Sequence, residues 1–439
     1  MNLQRLDGMK KISITAGGDA LMVKHFPKGY TGRDAVRDYI LKGDFSVVNA
    51  ETNFSDFDCF PSSYSGGTWV NARPEILPEI MSFGFSGCGA SNNHSMDYSY
   101  GGLFSSIATY EKYKVPYCGI GKSLDAAAEP MVLENEKGRV AVISICAEFN
   151  DAARAGETAP DLPPRPGLNP LRHSTVFQVT PEHMNVLKEI AKNTAMNGTR
   201  EADTKAGFYV DDGTFFFGGV RFIEGDEEKK ITRPDARDVA RTCNKIREIA
   251  DEYDAVLVMF HSHDIKGFSH EEPDFYAEEF CRECIDAGAT AIIGGGTHEL
   301  KPVEIYKGKP IFHSLGDFAF QNNCVEILPP DFKEKYGVPI TASAEEALDA
   351  RSNGGKRGLH TDIMNYLSFI PYLEVEDKKV TKVKLRPIEL GFYMDEEIKG
   401  LPHLADRETS ERIFNHVKEM SETYGTKLSF DGEEIEVLL

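Results

Sequence analysis

Residues 255–299 read AVLVMFHSHDIKGFSHEEPDFYAEEFCRECIDAGATAIIGGGTHE. Two apolar runs typical of buried strands, AVLVMF and ATAIIGGG, flank a segment that is predicted to be helical over residues 273–287. A strand, a helix and a second strand in this order predict a βαβ unit. Both predicted strands run directly into histidines, in HSH at residues 261–263 and in THE at residues 297–299. The stretch therefore favours an α/β fold with polar side chains at its strand ends.

The same alternation of strand and helix patterns runs through most of the chain. Strands are predicted at KISITAGGD, FSVVNAETNF, FSGCGASNN and RVAVISICAEF, and helices at GRDAVRDYILKG and RPEILPEIMSFG. Two late strands, LSFIPYLEVE and KVTKVKLRPIEL, follow each other without a helix, which favours a partly antiparallel region. We therefore predict an α/β protein with a mixed sheet or a pair of sheets.

Two stretches interrupt this alternation. Residues 150–235 contain the Pro-rich APDLPPRPGLNP and the aromatic run GTFFFGG, and residues 325–360 are polar and Gly-rich around SNGGKRG. We predict one domain over residues 10–395 with insertions at these two places, and insertions of this kind often form lids or substrate walls. Residues 396–439 are predicted to be a C-terminal helical extension that packs on the core and ends in a short strand-like tail.

Composition excludes several functional classes. The chain has 439 residues and a net charge of −21, which argues against binding to nucleic acid or to an anionic membrane. No apolar run approaches the roughly 20 residues that a membrane-spanning helix needs. The amino terminus passes from a short polar lead into a strand without an apolar signal segment, which predicts a cytoplasmic protein without a membrane anchor.

The eight cysteines follow no regular spacing. Most lie in apolar contexts, so we interpret them as reduced core thiols. Cys281 and Cys284 form a single CREC pair whose spacing places both on one face of the predicted helix. A zinc or redox site would need further ligands, and a core face is the preferred interpretation.

The stretch SNNHSMDY at residues 91–98 follows another predicted strand and admits two interpretations. Asn and Asp are common in turns at strand ends. Alternatively, an amide oxygen and an adjacent imidazole could belong to a metal site with a proton-transfer group. The other strand ends favour the second interpretation, because ligands of open α/β sheets bind beyond the carboxyl ends of the strands. Five successive strand ends supply polar side chains, namely Asp19, Glu51, Asn93 with His94, His261 with His263, and His298.

Carboxylates combined with imidazoles suit Mn²⁺, Fe, Co²⁺ or Zn²⁺, and a bridging carboxylate such as Glu51 could hold two ions. A bound metal would supply a hydroxide nucleophile by lowering the pKa of a coordinated water. His94 could then protonate the leaving group, with Asp97 as its orienting partner. The sequence leaves the metal identity, the bond cleaved and the oligomeric state open.

Further residues are candidates for substrate binding. His313 and Asp317 in IFHSLGDF could line the same rim or make an ordinary strand-end hydrogen bond. Arg154, Arg165 and Arg172 of the first insertion could bind a carboxylate or phosphate bidentately. A solvated loop position is the preferred interpretation of each arginine.

The motifs ITAGGD, VVNAE, SNNHSMDY, FHSH and GGGTHELKPVEIYKGKPIFHSLGDF resemble those of the CapA family of poly-γ-glutamate synthesis proteins, which is similar to the calcineurin-like metallophosphatases. The resemblance spans most of residues 11–320 and the strand near 365–390. It implies a four-layer α/β/β/α sandwich of the metallophosphatase type with mixed sheets. It also implies roles for individual residues: metal ligands at Asp19, Asn93, His261 and His298, a bridging carboxylate at Glu51 and a catalytic imidazole at His94.

The chain departs from the metallophosphatase pattern at two positions. Leu21 stands where the first motif has a histidine, a loss that is general in the CapA family. Gly296 stands where a further histidine usually precedes the last motif, so one ligand of a second metal is missing. His263 is a possible replacement, or the site holds a single ion.

Two functional hypotheses follow. The first is a metal-dependent hydrolase that acts on a small anionic ester or a γ-glutamyl-type amide. The second is a non-catalytic accessory or binding protein in poly-γ-glutamate or capsule biosynthesis, as the family name implies. Family members are often membrane-anchored or exported, and the absence of an anchor in this sequence favours the enzyme. A nucleotide- or sugar-binding protein without metal lacks support, because no Gly-rich phosphate loop precedes a helix.

Overall fold

The structure is a computed structural model that describes residues 10–210 and 212–439. The amino-terminal lead MNLQRLDGM, on which the expectation of no signal segment rests, lies outside the described residues. Within the described ranges, no helix has both the length and the hydropathy that a membrane crossing requires.

The described chain forms strands and helices in mixed order. The strands are β1 Lys11–Leu21, β2 Phe45–Ala50, β3 Asn53–Phe54, β4 Asn71–Ala72, β5 Gly87–Gly89, β6 Tyr117–Cys118, β7 Ile120–Gly121, β8 Met131–Glu134, β9 Arg139–Cys146, β10 Gly167–Leu168, β11 His173–Val179, β12 Phe215–Phe217, β13 Val220–Glu224, β14 Lys229–Pro234, β15 Ala255–Ser262, β16 Ala291–Gly296, β17 Val303–Tyr306, β18 Lys309–Phe312, β19 Asp317–Phe320, β20 Leu367–Glu376, β21 Lys379–Glu389, β22 His403–Leu404, β23 Lys427–Phe430 and β24 Ile435–Leu438. The α-helices are α1 Gly32–Ile40, α2 Ile76–Met81, α3 Ser99–Tyr113, α4 Leu124–Ala128, α5 Pro181–Thr194, α6 Gly198–Lys205, α7 Ala236–Ile249, α8 Phe275–Ala287, α9 Pro330–Lys335, α10 Ala344–Ser352 and α11 Arg407–Glu422.

Two large mixed sheets dominate the fold. One has 10 strands, in the order β23-β24-β21-β20-β1-β2-β5-β6, with β19 pairing to β1 and β22 pairing to β21. The other has 6 strands, in the order β17-β18-β16-β15-β9-β8. A smaller sheet has 4 strands, in the order β12-β13-β11-β14. The prediction of an α/β protein with mixed sheets is therefore confirmed.

The βαβ unit predicted from residues 255–299 is present as β15, α8 and β16. The two strands are parallel, with Leu257 opposite Ala291 and His261 opposite Gly295. The helix begins at Phe275, two residues later than predicted, after the N-cap residue Asp274. Cys281 and Cys284 are both buried on the inner face of this helix.

Alternating side chains of the central strands enter different hydrophobic clusters, as the two-residue period of a strand requires. In β15, Leu257 belongs to a cluster that also contains Ile12 and Val47 of the 10-stranded sheet. Its neighbour Val258 belongs to a second cluster, which includes Phe280 of α8. The first cluster thus joins the two large sheets. The second cluster lies on the other face of the 6-stranded sheet, which α7 and α8 cover. A further cluster contains residues of α1, α2 and α3 and of the 10-stranded sheet.

The segments predicted as insertions have their own structure. Residues 150–235 contain β10 to β14, α5 and α6, and residues 325–360 contain α9 and α10. The last 44 residues, 396–439, contribute α11, and their strands β23 and β24 extend the 10-stranded sheet through β21. The terminal segment is therefore helical only in part.

Candidate metal centre

The carboxyl ends of parallel strands in both large sheets bring the predicted polar side chains together. β1, β2 and β5 run parallel in the 10-stranded sheet, and β9, β15 and β16 run parallel in the other. A small buried cavity between these ends is lined by Asp19 and Asn49 from one sheet and by His261 and Gly295 from the other. The convergence that the strand-end pattern predicted is thus visible in the structure.

Asp19 lies at the end of β1 and is buried. The Asn49 side-chain amide donates to its Oδ1 at 2.7 Å, and the Gly296 backbone N–H donates to its Oδ2 at 2.6 Å. Burial alone would raise the pKa of Asp19, but nearby His261 and the hydrogen bond from Asn49 outweigh burial and lower the pKa. The carboxylate is therefore held in its ionised, ligand-competent form.

Gly296 stands where the metallophosphatase pattern has a histidine. Its backbone conformation and its surroundings both favour glycine. Its φ of +124° lies in a region that residues with a side chain rarely adopt. A Cβ at this position would lie 2.4 Å from the carbonyl oxygen of Ser262. The backbone N–H of Gly296 binds Asp19 instead, so this position supplies a hydrogen bond and no imidazole.

Glu51 directly follows β2 and is fully buried, and neither of its carboxylate oxygens has a hydrogen-bond partner among the described residues. Burial is the largest cause that raises its pKa well above the ordinary value, followed by the negative charges of Asp19 and Asp317. Buried polar groups in proteins are almost always paired, since an unpaired one costs the full desolvation penalty. An orphaned carboxylate that is surrounded by imidazoles fits a cation site.

His94 and Asp97 form a buried pair beside Glu51. Nδ1 of His94 lies 2.6 Å from Oδ2 of Asp97, and Nε2 of His94 lies 3.8 Å from Oε1 of Glu51. Asp97 also accepts backbone N–H groups of Gly66 at 3.1 Å and Val70 at 2.8 Å. These bonds fix Asp97, which in turn fixes the orientation of the His94 ring.

A second set of side chains, from Asn93, His261 and His263, also converges beside Glu51. Nε2 of His261 lies 2.8 Å from Oδ1 of Asn93, 3.2 Å from Nε2 of His263 and 3.6 Å from Oε1 of Glu51. Burial, followed by the positive charge of His261, lowers the pKa of His263 well below its ordinary value. His263 is therefore neutral at physiological pH, which is the form of histidine that binds metals.

His298 and Asp317 form a third buried pair. Nδ1 of His298 lies 2.9 Å and 3.1 Å from the two carboxylate oxygens of Asp317. Burial raises the pKa of Asp317 to about 6, although His298 opposes that shift. Burial lowers the pKa of His298, but Asp317 outweighs burial and the net shift is upward. The sequence left Asp317 open between a substrate rim and a strand-end hydrogen bond, and the structure places it inside the cluster, in contact with His298.

Two groups of side chains could each hold a metal ion, and both contain Glu51. Ligand atoms of Glu51, His261 and His263 lie within 4.8 Å of one another, and so do those of Glu51, His298 and Asp317. Mixed imidazole and carboxylate donors suit Mn²⁺, Fe or Zn²⁺. The residues present thus fit one or two divalent transition-metal ions, and Glu51 is the side chain that two ions would share.

Other predicted site residues lie elsewhere. Nε2 of His313 lies 3.2 Å from Glu304 and is not in contact with the cluster. Arg172 binds Asp238 at 2.7 Å and 2.8 Å, which secures the start of α7. Nε of Arg154 lies 3.5 Å from Asp151, and Arg165 donates to the backbone carbonyl of Arg154 at 2.9 Å.

An open cleft of about 600 Å³ leads to the cluster. His94, His263 and His298 line its floor, and the walls come from residues 66–68 and from the segment 322–359. None of Arg154, Arg165 and Arg172 is among its lining residues. Its basic wall residues are His270, Lys335, Arg351 and Arg357.

Asn49 is a site residue that the sequence interpretation missed. Its amide nitrogen bonds Asp19 and lies 3.3 Å from Nδ1 of His261, and its oxygen accepts from Asn92 at 3.2 Å. The motif VVNAE carried a signal for it, because Asn49 stands two residues before Glu51 and alternate strand residues share a face. The two arginines that line the cleft, Arg351 and Arg357, had no comparable signal in the sequence.

Known proteins share this set of motifs. The family profile described as "Bacterial capsule synthesis protein PGA_cap" matches residues 13–322, which include every residue of the cluster. The chain belongs to this family, the CapA capsule synthesis proteins.

Individual relatives are distant. An uncharacterized protein of Sinorhizobium fredii is 27% identical over 437 residues, which cover 97% of this chain and 92% of that protein. The capsule biosynthesis protein CapA of Bacillus anthracis is 23% identical, over 71% of this chain and 60% of that protein. A "Probable polyglutamine synthesis accessory protein" of Mycobacterium tuberculosis is 23% identical, over 62% of this chain and 55% of that protein.

Proposed function

We propose that this protein is a metal-dependent hydrolase that cleaves an ester or a γ-glutamyl-type amide in a small anionic substrate. The observation that carries the proposal is Glu51, a fully buried carboxylate without a hydrogen-bond partner among the described residues, shared by two groups of potential metal ligands. Such a carboxylate is costly unless a proton or a cation neutralises it, and the imidazoles around Glu51 supply further ligands for a cation.

The residues that would hold the metal are Asp19, Glu51, Asn93, His261 and His298, with His263 and Asp317 completing the two groups. A divalent ion in this position supplies Lewis acidity, which polarises the bond to be cleaved and lowers the pKa of a water. Asn49 and Gly296 fix the Asp19 carboxylate by hydrogen bonds, so that its position does not depend on the ion.

His94 is proposed as the general acid. Its Nδ1–H donates to Asp97, which leaves Nε2 to exchange a proton with a substrate in the cleft that His94 lines. Asp97 is a positioning residue, because its carboxylate contacts the imidazole and two backbone N–H groups. The pair of His94 and Asp97 resembles the carboxylate–histidine pairs in which many enzymes use a carboxylate to orient an imidazole.

The core supports a further proposal about architecture. One hydrophobic cluster contains residues of both large sheets, and two others contain residues of the helices on either outer side. We propose that these layers form a four-layer α/β/β/α sandwich, with residues 10–395 as one domain and residues 396–439 as an extension that packs on it.

The second candidate is a non-catalytic accessory protein in poly-γ-glutamate or capsule biosynthesis. The name of the M. tuberculosis relative, "Probable polyglutamine synthesis accessory protein", favours it. In this case the metal cluster would have a structural or ligand-binding role.

Substrate screening distinguishes the two candidates. Phosphomonoesters, phosphodiesters and γ-glutamyl amides are assayed with added Mn²⁺, with Glu51→Gln as the matched control. The hydrolase proposal expects turnover of at least one class by the parent protein and none by the variant. No turnover of any class by metal-loaded protein would favour the accessory role.

A further inference from the structure

The cleft that His94, His263 and His298 line also has three cationic side chains, although the whole chain carries a net charge of −21. Lys335, Arg351 and Arg357 face the same cleft as His94 and His298. All three lie beyond residues 13–322, the segment that the family profile matches. The match to the family profile therefore assigns no role to these three cations.

Arg351 is the least exposed of these three cations, and its partners are neutral. It lies in the last turn of α10, where its guanidinium donates to the hydroxyl of Thr68 and, at 3.4 Å, to Oδ1 of Asn323. In the part of the chain that the structure describes, no carboxylate oxygen lies within 4.0 Å of Arg351, Arg357 or Lys335. Arg172, by contrast, is bound by Asp238.

Arg351 and the metal cluster are connected through one short loop. The Gly66 carbonyl accepts from the side-chain amide of Asn93, and the Gly66 N–H donates to Asp97. Two residues further on, Thr68 contacts Arg351. Because two residues span at most about 7 Å, a small molecule can reach both the cluster and the guanidinium.

We propose that Arg351, assisted by Arg357 and Lys335, binds an anionic group of the substrate, a carboxylate or a phosphate, that is separate from the bond cleaved. A guanidinium with neutral partners retains its charge and its fork of donors for such a group. This inference rests on the proposed function, since it assigns the scissile bond to the cluster and the anionic end of the substrate to the basic wall. It also replaces the arginines of the first insertion as the anion-binding residues.

Anion binding to the full chain, measured by calorimetry, tests the proposal without relying on turnover. The probes are inorganic phosphate and glutarate, which separate a phosphate site from a carboxylate site. Arg351→Gln should weaken binding of the preferred anion by about 10- to 100-fold, because a charge-assisted hydrogen-bonded pair is lost. Arg165→Gln, from the first insertion and outside the cleft, is the matched control and should bind like the parent protein.

Two further variants keep the result interpretable. Arg357→Gln removes an exposed guanidinium and should weaken binding even if Arg351→Gln proves unstable. Glu51→Gln, which disrupts the proposed metal site, should retain binding of the preferred anion. Unchanged affinity in both arginine variants, no anion binding by the parent, or loss in Glu51→Gln alone would overturn the proposal. Weakened binding in the arginine variants together with absent hydrolysis would preserve the anion site and reject the hydrolase.

Discussion

Asp19 and Asp317 lie opposite each other on the neighbouring parallel strands β1 and β19. Both carboxyl groups are buried, and both raise the pKa of the buried Glu51. Three carboxyl groups in a dry interior are unfavourable unless protons or cations neutralise them. The surrounding imidazoles supply metal ligands, so a divalent ion is the simplest way to satisfy this arrangement.

The raised carboxyl pKa values predict a pH dependence of metal binding. Burial raises the pKa of Asp317 to about 6 and raises the pKa of Glu51 well above its ordinary value. Since a carboxylate must lose its proton to bind metal, affinity for Mn²⁺ should fall as the pH falls through about 6. Calorimetric titration between neutral and mildly acid pH measures this change. Constant affinity over that range would show that neither carboxyl group is a ligand.

Replacement of His94 should affect catalysis and spare the metal. A general acid typically contributes about 10²–10⁴-fold in rate, and His94→Ala should lose activity by that factor on any substrate that the parent turns over. Metal content should remain at the parent level, because Asn93 and not His94 is assigned as the ligand. Full activity in the variant would remove His94 from the mechanism, and loss of metal would make it a ligand.

His263 is expected to support the second ion. Its Nε2 lies 3.2 Å from Nε2 of His261, and both histidines share a potential metal group with Glu51. His263→Ala should reduce the metal bound per chain below the parent value. His270→Ala is a suitable control, because His270 lines the cleft without belonging to either group. Equal stoichiometry in His263→Ala and the parent would show that another side chain completes the site.

Gly296 is expected to resist substitution. Gly296→Ala places a Cβ 2.4 Å from the Ser262 carbonyl oxygen at a φ of +124°. Backbone strain of this kind costs about 1–3 kcal/mol, so thermal unfolding should show a clear loss of stability. Gly308→Ala is the control, since Gly308 also has a positive φ but a Cβ there would meet no atom within 4 Å. Equal losses in both variants would mean that the contact with Ser262 contributes nothing.

Much of the cluster was predictable because parallel strands present their carboxyl ends on one edge. Asp19, His261 and His298 each stand at or just after a buried strand, so the apolar runs that precede them marked them as candidates, and the family resemblance implied their roles as ligands. Asn49 lies within β2 two residues before Glu51, so the strand period placed it on the same face, and its contacts with Asp19 and His261 show its role.

Residues that reach the cleft through long-range pairing or through the path of an insertion were not predictable in this way. Asp317 enters the cluster because β19 pairs with the end of β1, and the sequence contains no pattern that specifies this pairing. Arg351 faces the cleft because the segment that carries α9 and α10 folds over the strand ends. The sequence offered arginines of the other insertion as candidates, with a solvated loop position as the preferred interpretation, and gave no indication of Arg351. The path of a long insertion depends on tertiary contacts and not on local periodicity.

Elemental analysis of the parent protein and of Glu51→Gln tests the central claim most directly. Both proteins are purified without chelator and without a nickel column, then compared after equilibration with Mn²⁺ or Zn²⁺. Because Glu51 belongs to both potential metal groups, the parent should retain at least one transition-metal ion per chain, and the variant should lose most of it. A metal-free parent, or a variant that binds as much metal as the parent, would contradict the assignment of this cluster as a metal centre.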